Sequence, residues 1–292
     1  MNKNKIIIVT IIIVLMIIIC FLILFKPEIK NEESKRIKNQ ENEKEEILIY
    51  DIEEGYLTVP YNKEAKKNNY DFDKYLRNDK GYYTYKDDKY ETILGIDVSE
   101  YQGDIDWKEV KNSGVEFAIL RLGYRGYGKE GKIVLDKKFE ENYENAKKEG
   151  IDLGIYFFSQ AINLDEVEQE TNFILENLSG KQLDYPIVFD LEKIKNDDAR
   201  TDNLTSDEIN AMTLEFCKII KNKGYTPCIY GNAKTFTTKM KLEEFNKYPK
   251  WYADYQEKPL YPYDFNLWQY TESGTINGIE GNVDIDLYFK CK

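Results

Sequence analysis

From residue 93 onward the chain alternates short apolar runs with longer stretches whose apolar positions recur at helical spacing. ILGIDVS (93–99), VEFAILRL (115–122), DLGIYFF (152–158) and YPIVFDLE (185–192) are short, β-branched and aromatic, and each predicts a strand. Helices are predicted between them: near 107–113, within LDKKFEENYENAKKEG ending at Gly150, over 165–178, and over TSDEINAMTLEFCKIIKNKG. The last has Thr205 or Ser206 as its N-cap and Gly224 as its C-cap. TPCIYG, KWYADY, FNLWQY and NVDIDLYF follow as four more strands with weaker helices between them. Strands alternating with helices imply a parallel sheet, and eight strands in about 200 residues predict an α/β fold, a TIM-like (β/α) barrel. The last connections are too short for full helices, so the barrel is expected to be irregular.

The start of the chain has another pattern. Residues 6–25, IIIVTIIIVLMIIICFLILF, contain only Thr10 as a weakly polar position. As a helix this run would cover about 30 Å, one bilayer core. No small-residue cleavage site follows it, and Ile19 before Cys20 does not suit lipoprotein processing. We therefore expect a single-pass membrane anchor over residues 1–25. Lys3 and Lys5 favour an inside N-terminus, whereas Lys26, Lys30, Lys35, Arg36 and Lys38 vote the other way. Long domains translocate largely regardless of such charge, and the C-terminus is expected outside, on functional grounds given below. Residues 26–46 are nearly all charged or amide and read as a spacer. Residues 47–92 hold Tyr-rich fragments such as GYLTVPYN and GYYTYKDDKY, expected as short strands packed on the main domain of residues 93–292.

Composition narrows the chemistry. The 292 residues carry 41 basic and 53 acidic side chains, a formal charge of −12, which argues against a nucleic-acid partner. There is no histidine, so Ser–His–Asp and Cys–His schemes and His-based zinc sites are excluded. Of the four cysteines, Cys217 and Cys228 could meet across a helix and the next strand; the plainer expectation is buried thiols acting as small hydrophobes.

Acids at strand ends then stand out. Asp190 and Glu192 close the fourth predicted strand, two residues apart, with Cα atoms about 6.6 Å apart on one face. Chemistry in such barrels sits at the C-terminal ends of the strands. Two carboxyls in an apolar mouth push their pKa values apart, so one can stay protonated while the other is ionised, as general-acid cleavage of a glycosidic bond requires. Taken alone, the DLE stretch also fits two solvated loop acids. Asp97, Asp284 and Asp286 end other predicted strands, which makes a single acidic mouth the better reading. A hard-cation site is the alternative for such acids, but no calcium-loop spacing is present, and neither metal nor cofactor is expected. Tyr156, Trp251, Tyr252, Trp268 and Tyr270 fall at or near strand ends, where aromatic faces would suit sugar rings; ordinary core packing is the alternative for about half of them.

In order, GIDVSEYQGDIDW, FAILRLGYRGYG, DKKFEENYENAKKEGIDLGIYFFSQA, YPIVFDLE, GYTPCIYG, WYADY and LWQYTESGTINGIEGNVDID resemble the strand-end motifs of glycoside hydrolase family 25, the Chalaropsis-type N-acetylmuramidases. The resemblance covers residues 93–290. It implies an irregular (β/α) barrel and hydrolysis of the β-1,4 bond between N-acetylmuramic acid and N-acetylglucosamine in peptidoglycan. It also implies Glu192 as general acid, Asp190 as the stabilising or orienting carboxylate, and Asp97 and Asp284 as further site aspartates, with Asp286 the alternative to Asp284. Tyr156 matches a sugar-lining position, and Arg121 of the second motif joins Trp251, Trp268 and Tyr270 in the expected substrate-binding set. Where many members have His after that Tyr, this chain has Phe157. Together with the anchor, these features predict a cell-membrane muramidase facing the wall. A catalytically silent peptidoglycan-binding scaffold and an enzyme for another acetamido-sugar polymer are the rivals.

Overall fold

The computed structural model describes residues 45–292, so the expected anchor and all but the end of the charged spacer lie outside the described residues. Among the described residues no helix is long and apolar enough to cross a membrane. Residues 47–292 form one compact unit.

Its centre is a closed barrel of eight strands: β5 (Tyr90–Val98), β6 (Phe117–Arg125), β8 (Asp152–Phe158), β9 (Ile187–Asp190), β10 (Pro227–Asn232), β11 (Lys250–Ala253), β12 (Leu267–Gly274) and β13 (Val283–Cys291). A short strand β7 (Ile133–Leu135) flanks β6. β5 pairs with both β6 and β13, which closes the ring. All eight predicted strands are present, as are helices α1 (Trp107–Asn112), α2 (Phe139–Lys148), α3 (Leu164–Asn177) and α4 (Ser206–Asn222). The α4 start is a capping box: Thr205 accepts from Glu208 N while the Glu208 carboxylate receives Thr205 N.

The barrel departs from a regular (β/α) repeat where the connections shorten. Adjacent strands from β5 round to β12 run parallel, but β13 is antiparallel to both β12 and β5. Only residues 275–282 separate β12 from β13, too few for the crossover that a parallel pair needs. β10 leads to β11 through a π-helical turn and a 3-10 turn, Thr235–Lys239 and Leu242–Phe245, in place of a full helix.

Alternate residues face the barrel axis. Phe117, Ile119, Val188, Cys228 and Leu267 fill its lower part. Gly95 permits this filling: a Cβ there would lie 2.2 Å from the Phe117 ring. Cys217 and Cys228 are both buried free thiols, so the plainer expectation holds. The N-terminal segment contributes the hairpin β1 (Glu46–Asp51)–β2 (Gly55–Pro60) and the pair β3 (Tyr75–Arg77)–β4 (Tyr83–Tyr85). The second pair packs aromatic rings on the outside of β12 and β13.

Candidate active site

β9 delivers Asp190 as its last residue, and Glu192 stands two residues beyond the strand end. Asp190 is buried, whereas Glu192 is partly open to solvent. Their carboxyls make a side-chain hydrogen bond to each other. Asp190 Oδ1 accepts from no N–H or O–H donor. Burial pushes both groups up, Glu192 to about 7; for Asp190 the Glu192 charge adds to the rise and Arg121 opposes it. The pair therefore titrates as a unit, and burial opposes its full ionisation near neutrality.

A second acid group stands across the mouth. β13 and β5 align Asp284 opposite Asp97 and Asp286 opposite Gly95. Asp97 forms side-chain hydrogen bonds with Asp284 and Asp286 and accepts from Gln269 Nε2 at 2.8 Å. Asp286 accepts from Trp251 Nε1 at 2.8 Å, which leaves its Oδ2 without a donor. Burial is the first cause of upward shifts in all three, followed by their mutual charge for Asp97, while Asp284 rises to about 6. Asp286 is fully buried and Asp284 is partly exposed, so Asp284 is the one of the two that faces the open mouth. Among the described residues no group of His, Cys, Asp or Glu is arranged to hold a metal ion.

Between the two acid groups lie Tyr156 and Arg121, neighbours across β8 and β6. Tyr156 is half-buried, and its hydroxyl is held well above its usual range by desolvation and by the Asp97 charge. Its ring meets Trp251 edge-on at 6.1 Å, and Trp251 meets Tyr230 at 4.8 Å. Arg121 is spoken for: Nε donates to Asp136 at 2.7 Å and Nη2 to Glu100 at 3.3 Å, with the guanidinium 4.8 Å from the Tyr101 ring centre. It is a fixed positive charge under the mouth, because two carboxylates and a ring already hold it.

The structure thus brings together Asp97, Asp190, Glu192, Asp284, Tyr156, Trp251 and Arg121. It does not bring Trp268 or Tyr270 to them. Trp268 is fully buried, stacks on Tyr83 at 5.9 Å and donates Nε1 to the Asp254 carbonyl at 2.7 Å. Tyr270 packs edge-on against the same Tyr83 ring. Both point outward into the N-terminal segment, whereas Tyr252 points outward into the loop between β11 and β12, stacked on Tyr261 at 4.4 Å. The inward residue of that stretch is Gln269, which the sequence reading missed. It bridges Asp97 to the hydroxyls of Tyr230 and Tyr255, which donate to its Oε1 at 2.9 and 3.1 Å. The available signal was a lone amide inside the apolar LWQY run, in register with Leu267.

The sequence pattern of the family described as Glycosyl hydrolases family 25 matches residues 96–279. An autolytic lysozyme of Clostridium acetobutylicum is 28% identical over 195 residues, which cover 66% of this chain and 55% of that protein. The modular autolysin LytC of Streptococcus pneumoniae, solved with a synthetic peptidoglycan ligand, superposes with a TM-score of 0.59 at 25% identity, covering 74% of this chain and 52% of that one. A family 25 glycosyl hydrolase structure from Bacillus anthracis gives 0.55 at 25% identity over 70% of this chain and 92% of its own. The chain therefore spans about half the length of the first two. With a matched region that runs from the first barrel strand to the loop before the last, and that covers most of the chain, this protein belongs to glycosyl hydrolase family 25.

Proposed function

We propose that the barrel is a muramidase that hydrolyses the β-1,4 bond between N-acetylmuramic acid and N-acetylglucosamine in peptidoglycan. The observation that carries this is the Asp190–Glu192 pair, two hydrogen-bonded carboxyls at the open end of a barrel, both raised by burial. Glu192, the more exposed, gives its proton to the glycosidic oxygen as the bond to C1 breaks and that oxygen keeps the bonding electron pair. Positive charge then develops on the sugar ring. Asp190 stabilises that charge as its carboxylate or orients the acetamido group beside it. A water oxygen bonds to C1, and the water's proton returns the acid to its starting state. Asp284, ionised above about pH 6, adds negative charge across the mouth, with Asp97 hydrogen-bonded beside it. The lysozyme and autolysin relatives support the substrate class, and the peptidoglycan ligand of LytC supports the partner. Residues 6–25 would anchor the enzyme in the cell membrane, with the barrel on the wall side.

The test compares the full chain with a Glu192→Gln twin on purified peptidoglycan, with released fragments reduced and weighed by mass spectrometry. Fragments ending in reduced muramic acid, from the parent alone, are expected. Binding without fragments from either protein would instead favour the silent scaffold.

A further inference from the structure

The hairpin β1–β2 lies outside the family-matched region, yet its turn shares a cleft with Glu192. Residues 52–54 form the turn, and Gly55 follows at φ 78°, a conformation that favours glycine. The turn is firmly pinned. Asp51, fully buried, accepts the backbone N–H groups of Glu53 and Glu54 at 3.0 Å each and that of Lys234 at 3.3 Å. Glu54 forms an ion pair with the Lys234 ammonium. Ile52 packs on the side chains that fill the barrel. Glu53 is left facing the loop after Glu192, 3.6 Å from Lys195, with its side chain 27% exposed. Glu53 and Glu192 line one cleft of about 240 Å³, together with Thr201, Asp202, Asn232 and Lys234.

We propose that Glu53 is a substrate-contacting residue, and that the hairpin turn is the wall of the active cleft that seats the glycan beside Glu192. A carboxylate and an amide on a rigid rim suit the hydroxyl and acetamido N–H groups of a hexosamine, and pinning in advance lowers the entropy lost on binding. Glu53 also acts on the acid. Its charge opposes ionisation of Glu192, as does that of Asp284, whereas Lys195 and the Asp190 hydrogen bond favour it. The proposal deepens the muramidase reading and rests on it.

The test uses the full chain, with Glu53→Gln, Glu53→Ala and, as a control on the exposed start of the same hairpin, Glu46→Gln. In a Glu192→Gln background, affinity for defined muropeptide oligomers is measured by calorimetry. Glu53→Ala should bind roughly 3–10-fold more weakly, one or two lost hydrogen bonds, with Glu53→Gln in between and Glu46→Gln unchanged. In the active background, KM should rise by a similar factor while kcat stays within about twofold. The basic limb of the pH profile should move to lower pH. If the parent cleaves but Glu53 variants match it in affinity and KM, this proposal alone is overturned; faster turnover by the variants would overturn it too. A parent that binds without cleaving, with binding weakened by Glu53→Ala, would keep the contact and sink the muramidase reading. No oligomer binding at all would sink both.

Discussion

The two faces of β12 differ sharply. Outward, Trp268 and Tyr270 enter a seam of rings with Tyr75 and Tyr83, a packed contact with apolar surface on both sides. Inward, Gln269 belongs to a mouth where five carboxyls lie near one another and the nearest buried guanidinium is already paired. The seam is locally consistent: each ring meets another, and burial favours folding. The mouth is not, because burial opposes the charge of nearly every acid there. A fold tolerates such a region at a cost to stability, and such costs concentrate where chemistry is done. The contrast implies that substitutions in the mouth should cost activity and leave stability intact or improved, and that substitutions in the seam should do the reverse.

The largest expected effect is in the mouth. Asp190→Asn should lower kcat by about 10²–10⁴-fold, the range for losing an acid–base partner, while its thermal midpoint at pH 7 equals or exceeds the parent's. A large fall in the midpoint would break the contrast. In the seam, Trp268→Ala should destabilise by about 3–5 kcal/mol in urea unfolding, yet keep kcat/KM within about threefold well below the midpoint. Inactivity of the folded variant would show that the seam also shapes the mouth.

Three smaller effects sharpen the point. Asp284 has a folded pKa of about 6, above its ordinary value of 3.8, so the folded state binds more protons between those values. Stability should therefore fall as pH rises from about 4 to 7. Asp284→Asn should remove part of that slope, with a gain of roughly 1–3 kcal/mol at pH 7–8 that vanishes near pH 4. Equal gains at both pH values would contradict this sign. The smallest change is Tyr75→Phe in the seam. The buried Tyr75 hydroxyl has no hydrogen-bond partner, so its removal should be neutral or stabilising by up to about 1 kcal/mol. Activity should follow the Glu192 proton: with a value of about 7, the rate should decline above neutrality in a pH–kcat profile.

Sequence periodicity alone located all eight barrel strands and four helices, because strand and helix periods depend on local side-chain alternation. It also exposed Asp190, Glu192, Asp97 and the pair Asp284 and Asp286, since acids at the ends of apolar runs conflict with their surroundings. Which way a given aromatic points was not legible for Trp268 and Tyr270. A strand flanked by apolar groups on both sides gives no alternation to read, and one step of register exchanges Gln269 for its neighbours. The antiparallel last strand, the raised pKa values of the acid pairs and the approach of Glu53 to Glu192 across more than a hundred residues were decided by the tertiary structure alone. Each depends on desolvation and on distances between groups that closure of the barrel brings together, and no local stretch of sequence encodes those.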